Sequence, residues 1–308
     1  MNKLLFGGTA SLSLTQTIAQ RNNLEIGKHE VVCFGNSEVR VTVQSDVNEK
    51  ECIVVQSTAN PTDKHVMELL FTVDALKREG AGKVECIIPY FGYARQNIQH
   101  RKGECVSMNV IVKILESLKV DKVTVVDLHE EGSSGMFTIP FENRSALPLL
   151  SQLLKQNLLI NDSSEREYVI GSPDQGGIER ARRFAESFYH VTKDYELITS
   201  EKKRNLENMH ESRAIELYGD VKGKKVILVD DVATSGGTII HAAELCLEKG
   251  AVMVYAAVVH ADFALGAPQK IQESPLSKLF LTNTIEKTLE DLSQFPKIEI
   301  IDIATLFT

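Results

Sequence analysis

Long apolar runs, paired cysteines and excess positive charge are all missing from this 308-residue sequence. No segment approaches the ~18 consecutive apolar residues of a membrane-spanning helix, so no membrane partner is expected. The N-terminal Leu4-Leu5-Phe6 run stops at Gly7 and Gly8, too short for the apolar core of a secretory leader. The five cysteines, Cys33, Cys52, Cys86, Cys105 and Cys246, are odd in number and contain no Cys-x-x-Cys pair. That argues against a disulfide framework and a zinc ribbon, and it makes a reduced, cytoplasmic compartment the simplest expectation. A net charge of -8 argues against a surface built to coat nucleic acid, so none is expected as a partner. Two phosphate-binding strings are also missing: neither Gly-x-x-x-x-Gly-Lys-Ser/Thr nor Gly-x-Gly-x-x-Gly occurs.

What is present is alternation. Val66, Leu69, Leu70 and Val73 repeat at helical spacing, Gly80 and Gly82 stop the helix, and Val84 to Pro89 reads as a strand. "VIVKILESLKVDKVTVVDLH" and "AAELCLEKGAVMVYAAVVH" repeat helix then strand. Helices alternating with fully apolar strands predict an α/β fold whose mostly parallel sheets are covered on both faces. The length suits two such domains, divided near the polar stretch "LKQNLLINDSSERE". Ligands in such folds gather at the C-terminal ends of strands, and there the sequence places "QSTANPTD", "PYFGYARQ", "DLHEEGSSG", "SPDQGG" and "DDVATSGGT".

The last of these carries the most chemistry. Gly236 and Gly237 let backbone approach an anion at a helix N-terminus, and Ser235 and Thr238 add hydroxyl donors. Asp230 and Asp231 would repel a phosphate, so they suit sugar hydroxyls or a divalent cation. A sugar phosphate satisfies both halves. Asp127, His129 and Asp174 also fall at strand ends, where a Mg²⁺ ion with few protein ligands is a reasonable occupant. Among Arg180, Arg182 and Arg183, at least two are expected on a solvated helix face. "PYFGYARQNIQHR" fits either an aromatic strand end or a nucleotide site using Arg95, Gln96 and Arg101. "TSEKKRNLENMHESR" lacks periodicity and reads as a mobile loop, solvated on its composition alone.

Taken together, "HVMELLFTVDALKR", "IPYFGYARQ", "VVDLH" with "MFTIP", "GSPDQGGIERARR" and "VDDVATSGGTI" resemble the ribose-phosphate pyrophosphokinase family, from about Val32 to Phe307 and in family order. The resemblance implies two phosphoribosyltransferase-like domains: residues 1–146, the ATP side with subunit contacts, and residues 147–308, whose last residues pack back on the first domain. It implies transfer of the pyrophosphoryl group of Mg-ATP to the 1-hydroxyl of ribose 5-phosphate, with Mg²⁺ as cofactor. By resemblance Asp230, Asp231, Thr234, Ser235, Gly236, Gly237 and Thr238 bind ribose 5-phosphate, and His129 and Asp174 serve the metal. Phe34, Asn36, Glu38, Arg95, Gln96 and Arg101 bind ATP, with Phe34 and Glu38 reaching a neighbour's adenine. Lys202 and Arg204 become catalytic residues of a flexible loop, replacing the solvated reading. A homo-oligomer, hexameric by family habit, with ATP sites shared between subunits, is implied as well.

The sequence departs from the family pattern at Asn36, at Asn97 and Ile98, at Cys105 and Asn109, and at Thr234, which stands where many members carry an acid. These positions touch ATP contacts and allosteric surfaces more than the ribose-phosphate loop. Two other readings follow from the same residues: a catalytically weak regulatory paralogue, or a phosphoribosyltransferase, since "VDDVATSGGT" alone fits both.

Overall fold

Apolar strands that read as buried on both faces need a layer of helices on each side, and the chain supplies them in two compact units. The computed structural model describes residues 3–161, 163–192, 195–202, 215–286 and 292–308. The first unit comprises Met1–Ser145, Thr284–Lys287 and Asp302–Thr308; the second comprises Ala146–Asn283 and Thr288–Ile301. No helix among the described residues is long and apolar enough to cross a membrane.

The first unit contains strands β1 (Lys3–Gly7), β2 (Glu25–Ile26), β3 (His29–Cys33), β4 (Val39–Val43), β5 (Glu51–Val55), β6 (Lys83–Ile88), β7 (Lys122–Val126) and β8 (Phe141–Arg144). Its helices are α1 (Leu12–Asn22), α2 (Thr62–Arg78) and α3 (Ser107–Ser117). Six strands form one sheet in the order β2-β1-β5-β6-β7-β8, parallel throughout, while β3 and β4 make a separate antiparallel hairpin. Val66, Leu69, Leu70 and Val73 are all buried, so the helical stripe faces the core as its spacing predicts. The C-terminal residues close on this unit: Asn22 Nδ2 donates to the carbonyl of Phe307 at 3.1 Å, and Arg144 lies 5.5 Å over the Phe307 ring.

The second unit contains β9 (Tyr168–Ser172), β10 (Leu197–Lys202), β11 (Ile215–Tyr218), β12 (Lys225–Val232), β13 (Met253–His260), β14 (Lys278–Thr282) and β15 (Ile298–Ile301). Helices α4 (Leu147–Asn157), α5 (Ile178–Tyr189), α6 (Gly237–Glu248) and α7 (Ala267–Glu273) complete it. The sheet runs β11-β10-β9-β12-β13-β14-β15, and only the β10–β11 pair is antiparallel among the described strands.

Two readings of the sequence are corrected. Thr199 to Lys202 are not loop: they finish β10, paired with β9 through Thr199 and Ser172 and with β11 through Lys202 and Ile215. Pairing on both edges holds a polar segment extended where no local pattern asks for it. The polar stretch from Leu154 also begins inside a helix, because Leu147, Leu150 and Leu154 form the buried stripe of α4.

Candidate active site

Strand β12 delivers the central carboxylates. Val226 to Val229 are fully buried, and the strand continues beyond this apolar run through Asp230 and Asp231 to Val232. Arg180, in the first turn of α5, meets both acids: Nη1 stands 3.2 Å from Asp230 Oδ1 and Nη2 stands 3.3 Å from Asp231 Oδ1. One guanidinium therefore faces two carboxylates. Burial, and then the neighbouring Asp231, push the Asp230 carboxyl up to about 7 against the opposing pull of Arg180. Arg182 and Arg183 instead share Glu179 on the exposed face, as the sequence suggested for two of the three.

After β12 the chain turns through residues 233–236 into α6. Backbone bonds hold the turn: Ala233 N donates to the carbonyl of His260 and Ala264 N to the carbonyl of Thr234, both at 2.9 Å. Gly236 precedes the helix at φ 74°, where a Cβ would also stand 3.1 Å from Ile271 Cγ1. Both the dihedral and the space favour glycine there. No acidic residue occupies the first turn of α6, so its N-terminal amides keep their attraction for an anion.

The turn after β9 faces the same space. Ser172 Oγ donates to the carbonyl of Asp174 at 2.6 Å, Gly177 N donates to Asp174 Oδ1 at 3.2 Å, and Ser200 Oγ donates to the carbonyl of Pro173 at 2.6 Å. A cleft of about 580 Å³ results, lined by Asp174, Gln175 and Gly176 on one side, Ser200, and Ser235, Gly237 and Thr238 on the other. Asp174 thus joins the loop that the sequence singled out. Asp230, Asp231, Thr234 and Gly236 are not among the lining residues; the acids sit with Arg180. Lys202 ends β10, two residues after Ser200, while Arg204 lies outside the described residues.

The first unit gathers its polar residues at the C-terminal ends of β5, β6 and β7. Thr58 locks two of these ends: its N–H and hydroxyl both donate to the carbonyl of Tyr90, and its Oγ1 accepts from Gly92 N at 2.7 Å. Arg95 and Gln96 are exposed just beyond, with Gln96 Oε1 accepting from Ser107 Oγ. His129 is half-buried after β7, and Ser145 Oγ donates to Asp127 Oδ1 at 2.8 Å. Arg101 is exposed in a turn where its N–H donates to Glu104 Oε2 at 3.0 Å. Phe34, Asn36 and Glu38 occupy the β3–β4 turn, closed by Phe34 N donating to the carbonyl of Glu38 at 2.8 Å. Phe34 is 43% exposed, and the Arg40 guanidinium lies 5.5 Å from its ring centroid.

Arg180 and Ser200 are the residues that sequence reasoning missed or left on the surface. Arg180 had a signal, its place in the first turn of a helix that follows a strand-end acid. Ser200 had none, since its role depends on β10 pairing beside β9. Among the described residues no group of three or more His, Cys, Asp or Glu side chains could hold a metal.

Each unit is an α/β layer structure with a mostly parallel sheet, and the second carries a strand-loop-helix turn whose helix-terminal amides are open to an anion, with two carboxylates on the preceding strand. Residues 3–118 match the N-terminal domain of ribose phosphate pyrophosphokinase, and residues 189–308 match the phosphoribosyl synthetase-associated domain. A ribose-phosphate pyrophosphokinase of Fusobacterium nucleatum is 35% identical over 306 residues, covering 99% of this chain and 93% of its own. Ribose-phosphate pyrophosphokinase 1 of Streptococcus pneumoniae is 35% identical over 302 residues, covering 98% and 90%. The crystal structure of phosphoribosylpyrophosphate synthetase from Mycobacterium smegmatis superposes with a TM-score of 0.88 at 31% identity, covering 99% of this chain and 96% of that one. The chain belongs to the ribose-phosphate pyrophosphokinase family.

Proposed function

We propose that this enzyme transfers the β,γ-pyrophosphoryl group of ATP to the 1-hydroxyl of ribose 5-phosphate, giving phosphoribosyl pyrophosphate and AMP. The observation that carries the reading is the match to ribose-phosphate pyrophosphokinases along both units, joined to an anion cradle at the N-terminus of α6. A phosphoribosyltransferase would leave the first unit, with its Arg95 and Gln96 segment, without a role.

The 5-phosphate sits on the turn through Thr234, Ser235 and Gly236 and on the first amides of α6 at Gly237 and Thr238. Asp230 and Asp231 stand beside it, and Arg180 fixes where they point. Arg95, Gln96, Arg101, Asn36, Glu38 and Phe34 serve ATP, the last three from the hairpin of a neighbouring subunit in a homo-oligomer, with a hexamer as the family's habit. The oxygen of the 1-hydroxyl attacks the β-phosphorus in line as the bond from that phosphorus to the oxygen of the α-phosphate breaks; AMP leaves with that oxygen and the hydroxyl proton passes to solvent. Such a transfer needs positioning and positive charge more than covalent help. Lys202 and Arg204 supply that charge. Mg²⁺ is the expected cofactor, with Asp174 and His129 as the residues that serve it. A sparse protein donor set fits an ion that takes most of its oxygens from water and substrate phosphates. When bound, it neutralises charge on the phosphates of ATP. The cytoplasm is the proposed compartment.

Lys202→Ala and Arg204→Ala should each lower kcat by about two to three orders of magnitude, the range for losing one transition-state charge donor. Binding of ribose 5-phosphate should remain nearly intact. Unchanged turnover in both variants would remove this segment from the mechanism.

A further inference from the structure

The proposed reaction asks two segments of the second unit to keep a fixed separation: the turn that carries Asp174 and the end of β10, which carries Lys202. Backbone pairing does not supply it. The parallel ladder between β9 and β10 ends with Ser172 beside Thr199. Next in register come Pro173 and Ser200, and a proline nitrogen has no hydrogen with which to continue the ladder. β10 nevertheless runs on to Lys202, because β11 pairs with its other edge at Ser200, Glu201 and Lys202. The two strands part at this point, and Pro173, Asp174 and Ser200 all line the cleft there.

A side chain takes the place of the lost ladder bond. Ser200 Oγ donates to the carbonyl of Pro173 at 2.6 Å, and Ser200 is only 6% exposed. Beyond this bond the turn is tied to itself: Ser172 Oγ donates to the carbonyl of Asp174, and the buried Gly177 N–H donates to Asp174 Oδ1. The turn thus holds its own shape, while its distance from β10 falls to Ser200. Removing the hydroxyl would take that partner from a buried carbonyl, a loss the turn relieves by shifting.

We propose that Ser200 is a positioning residue for the transfer step: its hydroxyl stands in for the ladder bond that Pro173 cannot make and sets the turn bearing Asp174 against the strand bearing Lys202. This rests on the proposed reaction and on the parts given there to Asp174 and Lys202. Ribose 5-phosphate is anchored across the cleft, at the N-terminus of α6, so its affinity depends little on the Ser200 bond. The transfer step depends on it strongly, since a misplacement of about 1 Å can lower a rate by up to ~100-fold.

The test combines steady-state kinetics, calorimetric titration with ribose 5-phosphate and amide hydrogen exchange, all on the whole protein. Ser200→Ala should lower kcat about ten-fold or more while the Kd for ribose 5-phosphate stays within about two-fold. The Gly177 amide should exchange faster by about ten-fold, with the amides of β12 and β13 unchanged. In a Lys202→Ala background the same substitution should change kcat by less than about two-fold, because the charge it places is already gone. Should Ser200→Ala fail to fold, Ser200→Cys, close in shape and a weaker donor, takes its place with the same expected directions. A kcat preserved to within about two-fold, or an unchanged Gly177 amide, overturns the proposal. So does a fall in kcat that persists in full beside Lys202→Ala, or one matched by an equal loss of ribose 5-phosphate affinity, since either would leave Ser200 a purely structural part. Unaltered protein that forms no AMP brings down the proposed reaction and this role together; turnover equal in the unaltered protein and Ser200→Ala removes the role of Ser200 alone.

Discussion

At the scale of single residues, the cluster of Asp230, Asp231 and Arg180 carries the largest electrostatic tension. One cation cannot neutralise two carboxylates, and burial withholds the solvent that would. The Asp230 carboxyl rises from 3.8 in the unfolded chain to about 7 in the fold, so the folded protein binds the proton more tightly. The stability it contributes is complete below the unfolded value and is lost as pH climbs through the folded one. At about 1.4 kcal/mol per pH unit the span amounts to on the order of 4 kcal/mol. Asp230→Asn removes the burden and leaves Arg180 paired with Asp231. Urea unfolding of the unliganded protein at about pH 8 should then show a gain of roughly 1–3 kcal/mol, shrinking to little at about pH 4. Turnover should fall in the same variant, because the proposed reaction sets this carboxylate beside the sugar phosphate. A stability that is indifferent to pH in both proteins would show the carboxylate to be no burden.

At the scale of elements, the sequence was legible wherever the signal is local. The stripe of α2, the glycine stop after it, the apolar strands and the glycine-bearing turn before α6 all form as their residues suggest. It was illegible where an element is made by a partner distant in the chain. Thr199 to Lys202 become strand only because β9 and β11 lie on either side. The start of α1 is a second case. Ser11 Oγ accepts from Ser57 N instead of capping the helix, and the first-turn amides of Ser13 and Leu14 donate to the Glu286 carboxylate, with the Ser13 bond at 3.0 Å. No reading of "TASLSLTQ" could supply an acid more than two hundred residues away. A negative charge and two acceptors at a helix N-terminus do the work of a missing cap. Glu286→Ala should therefore cost about 1 kcal/mol in urea unfolding, and Glu286→Gln less. No loss in the alanine variant would show that the cap contributes nothing.

At the scale of the whole molecule, the two units carry different halves of the proposed reaction, and the hairpin that bears Phe34 stands outside the main sheet of its unit. An exposed aromatic at a hairpin turn fits a ring that stacks on a neighbour's adenine. Phe34→Ala should raise KM for ATP, and mixing its subunits with Lys202→Ala subunits under exchange should recover part of the activity, since one composite site regains both residues. Activity no greater than the sum of the separate variants would place each ATP site within one subunit. Phosphorus NMR of the protein with ATP, Mg²⁺ and ribose 5-phosphate reads the reaction itself. The ATP signals should disappear with matched growth of AMP and of a diphosphate bonded to the sugar. Release of ADP, or an unchanged spectrum, would contradict it.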